Sequence, residues 1–165
     1  MKKTAGFTLI ELVIVIVILG ILGAVAAPKF LNLQGDAYGA NLQAVKSSME
    51  SAATLVNTKA ILAGVDKDSE ATLTVDQSGT GKTLALVFGY PSAAAIKDTL
   101  ELKADDAEYV FSQGTDANTI LVSPQARASK AVDSNPAAAV ATCAVKYVNA
   151  VSGARPTITI DKSKC

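Results

Sequence analysis

The sequence predicts an α+β protein: a long N-terminal α-helix, half of it transmembrane, packed against a small antiparallel β-sheet and closed by a C-terminal disulfide loop. Three observations predict this. Residues 7–27 are almost wholly apolar, with no polar side chain from Leu12 to Ala27. Apolar residues then recur at helical spacing as far as Ala60, and short β-branched and aromatic runs follow between turn residues. The only two cysteines, Cys143 and Cys165, lie beyond the apolar stretch. A helix followed by consecutive strands is the α+β order. The 165 residues carry 15 basic and 15 acidic side chains and no His. Zero net charge offers no basic face, so no nucleic acid is expected as a partner. Without His, the usual general base and the commonest zinc ligand are missing, so no metal or cofactor is expected.

The first element opens on Lys2 and Lys3, a short basic head. As a helix, residues 7–27 cover about 30 Å, the thickness of a bilayer's hydrocarbon core. The lysines keep the N-terminus cytoplasmic and place everything after Pro28 outside. Glu11 does not suit a plain anchor, because an ionisable group there costs a few kcal/mol unless it is paired or near the interface. It is read in three ways. It is an acid tolerated at the membrane surface. Alternatively, the stretch is an ordinary secretory signal, with Ala24-Val25-Ala26 as a small-x-small cleavage site. Against that stand the length of the run, the interrupting carboxylate and Pro28 just beyond the site. In the third reading the chain is cut between Gly6 and Phe7. The new ammonium on Phe7 then meets Glu11 of its own chain or of a neighbouring copy, and this buried pair fixes the stagger between copies.

Gly6-Phe7-Thr8-Leu9-Ile10-Glu11 followed by a long apolar run resembles the type III prepilin signal of type IV pilins and type II secretion pseudopilins. The resemblance covers about the first 30 residues. It implies the type IV pilin fold, cleavage after Gly6 by an inner-membrane prepilin peptidase, and methylation of Phe7 to N-methylphenylalanine. It assigns Phe7 and Glu11 to assembly. Its implied partners are further copies of the chain in a helical homopolymer, the inner membrane before assembly, the peptidase/methylase and a pilus assembly machine. The precursor is then a single-pass inner-membrane protein with a periplasmic C-terminal domain, and the product an extracellular pilus. No residue marks a receptor.

These readings divide the chain into a cleaved leader (1–6), a transmembrane and filament-core helix (7–27), an amphipathic continuation (28–64) and a head (65–165). In the continuation, Leu31, Tyr38, Leu42, Val45, Met49, Ala52, Val56 and Ala60 form one apolar stripe. Asn32, Gln43, Lys46, Ser47, Glu50 and Lys59 mark the opposite face, and Gly64 is a stop. Gly20, Gly23 and Pro28 weaken the helix, each Gly by about 1 kcal/mol and Pro by about 3. In pili that resemble this one, the segment from such a Gly to the Pro is extended. Local melting of residues 20–28 on extraction into a filament is expected, against a merely kinked membrane helix.

In the head, strands are expected at Thr72–Val75, Thr83–Phe88, Tyr109–Ser112, Thr119–Ser123, Cys143–Val148 and Thr157–Ile160. Ser92 is expected to cap a short helix over residues 93–102. Lys130–Ala139 reads as an exposed loop. In an oxidising compartment pairing of Cys143 with Cys165 is the default, closing a loop of 22 positions. That loop is a usual trait of type IVa pilins and is lacking in typical major pseudopilins. The segments GYPSAAAI and CAVKYVNAVSGARPTITIDKSKC most resemble the mannose-sensitive haemagglutinin pilins.

Two motifs are decoys. Residues 76–83 mimic a phosphate loop, yet Asp76 stands where Gly is needed and a strand follows. Asp66, Asp68 and Glu70 begin like a calcium loop, but Ala71 and Gln77 break the pattern, leaving at most a weak site in residues 65–82. The expected function is that of a structural pilus subunit and not an enzyme, serving adhesion, biofilm formation or motility. The alternatives are a major pseudopilin of a type II secretion system and a secreted binding module with an ordinary signal peptide.

Overall fold

The computed structural model describes residues 7–75, 83–100, 108–114, 116–128 and 143–165, without the side chains of residues 28 and 30–32. The chain forms two compact units, residues 1–37 and 38–165. Helix α1 runs over Leu9–Ala63. Seven strands follow: β1 Ala71–Thr74, β2 Thr83–Val87, β3 Tyr90–Pro91, β4 Tyr109–Gln113, β5 Thr119–Pro124, β6 Ala144–Val148 and β7 Thr157–Asp161. All pairings are antiparallel, as expected, but the strands form two sheets: three-stranded β1-β2-β3 and four-stranded β4-β5-β6-β7.

The stripe on α1 explains this division. Leu42, Val45 and Met49 meet Ile120 and Val122 of β5 and Val145 and Tyr147 of β6 in one core. Two and three turns beyond Met49, Val56 and Ala60 meet Leu73, Leu84 and Leu86 in a second. Each sheet thus buries one face on its own length of the same helix. Between the cores Ala53 is buried and Ala52 only half-buried, so the stripe shifts by one position from the expected one.

Gly64 ends α1 as expected. Its φ of +72° lets its N–H donate to Ile61 and that of Val65 to Ala60, the paired bonds of a Schellman motif. Three local expectations are corrected. β2 stops at Val87 because Phe88 (φ +48°) and Gly89 (φ +77°) form a two-residue hairpin turn to β3, a strand the periodicity did not reveal. Gly89 is obligatory there, since a Cβ would lie 2.8 Å from the Asp66 backbone. The helix expected after Ser92 is a turn and a 3₁₀ helix, Ile96–Thr99. The Ser92 carbonyl accepts from both Ala95 and Ile96, its hydroxyl also accepts from Ala95, and the Thr99 hydroxyl donates back to Ile96 at 2.6 Å. These local bonds compete with an α-helical ladder. The expected loop at Lys130–Ala139 lies outside the described residues.

Polar ties hold the two sheets together. The buried Tyr147 hydroxyl donates to the Pro91 carbonyl at 2.6 Å, and burial pushes this phenol well above its ordinary pKa. The Ala93 N–H donates to the Asn149 side-chain carbonyl at 2.6 Å. Cys143 and Cys165 are bonded, with Cα atoms 4.8 Å apart.

Candidate functional site

Leu9–Ala27 forms 19 residues of α1, long and apolar enough to cross a membrane, with none of it buried inside the chain. Leu12 is 58 % exposed and Leu19 61 %. Such an apolar face has a large free-energy incentive to leave water, at about 25 cal/mol per Å². Packing inside the unit does not satisfy it, so lipid or other proteins must.

The N-terminal turn is built by a short polar motif. Thr8 precedes the first helical residue, and the structure brings Glu11 back onto it. The Thr8 N–H donates to Glu11 Oε2 at 2.9 Å, the Thr8 hydroxyl donates to the same oxygen at 2.6 Å, and the Glu11 N–H donates to Thr8 Oγ1 at 3.3 Å. This is a capping box, which satisfies backbone donors that open a helix and places an acid at the positive end of its dipole. The carboxylate is therefore oriented by its own chain. Its second oxygen, Oε1, makes no hydrogen bond among the described residues, so the site has one engaged acceptor and one that can receive a cation. The sequence carries the signal for Thr8, as Thr-x-x-Glu before an apolar run, which is the pattern of a capping box.

Phe7 stands beside this turn, 82 % exposed. No bond joins it to Glu11 among the described residues; Gly6 lies outside them. Gly20, Gly23 and Pro28 all fall within α1, and a Cβ built on either Gly meets nothing within 4 Å. Among the described residues no three acid or cysteine side chains gather to hold a metal ion. Most of the phosphate-loop mimic, residues 76–82, lies outside the described set, and β2 follows it where that motif needs a helix.

Comparison with known proteins finds a match that takes in this turn. The model of the prokaryotic N-terminal methylation motif matches residues 1–27. The chain is 47 % identical over 58 residues to the type IV narrow pilus major component PilA5 of Thermus thermophilus, covering 35 % of this chain and 50 % of the relative. The match thus spans half of that relative's length. No solved structure matches the chain. The chain carries a prepilin-type methylation motif and is similar to a major component of a type IV pilus.

Proposed function

We propose that the chain is the precursor of a type IVa major pilin, a structural subunit and not an enzyme. The single observation that carries this reading is the methylation motif over residues 1–27, which takes in a 19-residue apolar span that the chain leaves wholly unburied. In this reading the bond between Gly6 and Phe7 is cut and the new Phe7 amine is methylated. The precursor waits in the inner membrane with its head in the periplasm. An assembly machine then draws it into a helical homopolymer whose core is built from residues 7–27. The ammonium of Phe7 on one copy meets Glu11 Oε1 of another, while the capping bonds from Thr8 hold that carboxylate by Oε2. Such a pair offsets much of the cost of carrying two ions into an apolar core, and contacts of this kind are heterologous and open-ended.

Within this reading Gly20, Gly23 and Pro28 are the positions at which the helix unwinds during extraction. The disulfide-closed head favours a pilus over a secretion pseudopilus. The C-terminal segments resemble the mannose-sensitive haemagglutinin group, which points to surface attachment and biofilm formation. Mass spectrometry of the mature N-terminus tests the proposal. Methylated Phe7 is the expected first residue. A chain beginning at Ala27, or one still carrying Met1, overturns it. Electron microscopy of a deletion strain separates pilus from pseudopilus, since only loss of surface filaments agrees with the former.

A further inference from the structure

The head, residues 38–165, has a basic end and an acidic end that cannot neutralise one another within one copy. At the start of its length of α1, the Arg127 guanidinium lies 5.3 Å from the Tyr38 ring centroid. Beside it the Lys162 side chain packs on the next residue, Gly39, where a Cβ would come within 3.3 Å of it. The Cys165 N–H donates to the Lys162 carbonyl at 3.2 Å, which brings Lys164 into the same turn. Among the described residues Asp161 is the acidic side chain of this end. The Ser163 N–H donates to its carboxylate at 2.9 Å and, with Lys164, holds it below its ordinary pKa. At the other end, Asp66, Lys67, Asp68 and Glu70 follow the Schellman motif. The Phe88 N–H donates to the Asp68 carbonyl at 2.9 Å, and Asn57 donates to Gly89 in the same corner.

Arg127, Lys162, Lys164, Asp66, Asp68 and Glu70 make no ion pair among the described residues; the Lys46–Glu50 pair, at 3.5 Å, lies on the helix between the two ends. Between Gly39 and Asn57, α1 rises about 27 Å. That exceeds three Debye lengths at physiological ionic strength, each about 8 Å. The basic cluster is also held in place rather than dangling: a cation–π contact and a packed stem orient two of its three members, and neither member's donors are engaged among the described residues.

We propose that the basic end of one head docks on the acidic 66–70 loop of a second copy, so that heads stack end to end. The contact rests on the reading of the chain as a filament subunit and specifies which faces of the heads meet. Opposite charges on opposite ends make a heterologous contact, which propagates without closing. They also give direction, because two basic or two acidic ends brought together repel.

Zero-length carbodiimide cross-linking of sheared wild-type filaments tests this. Lys162 or Lys164 should be joined to Asp68 or Glu70. With the two ends about 27 Å apart, such a link forms only between copies. The same links should be missing from detergent-solubilised subunits. In the second arm, Lys162→Glu with Lys164→Glu should lower filament yield by roughly tenfold or more, as like charges face each other. Adding Asp68→Lys and Glu70→Lys to that chain should restore it, which excludes misfolding as the cause. Intact filaments without these links overturn the contact. So does an unchanged yield, or a loss that the swap does not rescue, as expected of a basic end that faces lipid headgroups. A wild-type chain that forms no filament overturns the subunit reading itself.

Discussion

Residues 7–37 and the head solve the problem of apolar side chains in opposite ways. In the first unit Leu, Ile and Val stand exposed all round the helix: Ile14 is 51 % exposed and Leu22 59 %. In the head the same residue types are driven inward, with Leu42, Ile96 and Val122 all at 0 %. The head needs no partner to bury its core, and its two sheets, two polar ties and one disulfide all close upon themselves. The N-terminal helix has no such closure, and its stability depends on the medium or molecule that surrounds it. In the proposed reading, passage from bilayer to polymer would use this division: a head that stays folded and a helix whose surroundings can be exchanged.

Truncating one apolar residue in each unit breaks the comparison most sharply. Leu42→Ala leaves a cavity in the larger core and should lower head stability by roughly 3–5 kcal/mol. Leu19→Ala, at a site already 61 % exposed, should leave thermal unfolding of the head unchanged. Equal losses in calorimetry would mean that the two units share one cooperative core. Cys165→Ser comes next. It frees a loop of 22 positions, and loop-closure entropy predicts a loss of about 3 kcal/mol, seen as a lower unfolding midpoint under oxidising conditions. Helicity of residues 9–27 in detergent should not change. An identical midpoint in the variant would show that the bond contributes nothing to the head.

Tyr147→Phe is smaller and has a pH signature. It removes the donor to the buried Pro91 carbonyl and should cost about 2 kcal/mol. The folded phenol titrates above its unfolded value. Its contribution is therefore whole below about pH 10 and falls as pH rises beyond that, when the unfolded chain ionises first. Urea titrations at pH 7 and pH 11 should show wild-type stability declining and the variant declining less; parallel declines would remove Tyr147 from the account.

The same contrast governs what could be read from the sequence. The apolar helix of the first unit was legible, because its signal is a run of one residue class with a single acid in it. The helical stripe and Gly64 were also legible, since both express local geometry. What the sequence hid in the head was tertiary. The strand at Tyr90–Pro91 is two residues long and exists because β2 pairs with it. The division into two sheets depends on which length of helix each covers. The aborted helix after Ser92 turns on hydroxyl and carbonyl bonds that periodicity does not record. In the candidate site, Glu11 was legible as an anomaly in an apolar run. The direction of its bonds was not, because an unusual charge suggested a distant partner when a hydroxyl three residues away was already there.

That hydroxyl supports the smallest and most local prediction. Thr8→Val keeps the shape of the side chain but removes both the donor to Glu11 Oε2 and the acceptor for the Glu11 N–H. Loss of a cap of this kind costs about 1 kcal/mol, concentrated in the first turn. Hydrogen exchange of the full chain in lipid bilayers should therefore quicken by roughly fivefold at the amides of residues 8–11, since 1.4 kcal/mol corresponds to tenfold. Thr8→Ser, which retains the hydroxyl, should exchange like wild type, and neither variant should alter the head. Filament yield gives the functional reading. If the Thr8 bonds keep the Glu11 carboxylate turned toward an incoming ammonium, Thr8→Val should assemble poorly and Thr8→Ser normally. Should Thr8→Val fray the turn and still assemble in full, the capping box serves the helix alone, and Glu11 finds its partner without help from Thr8.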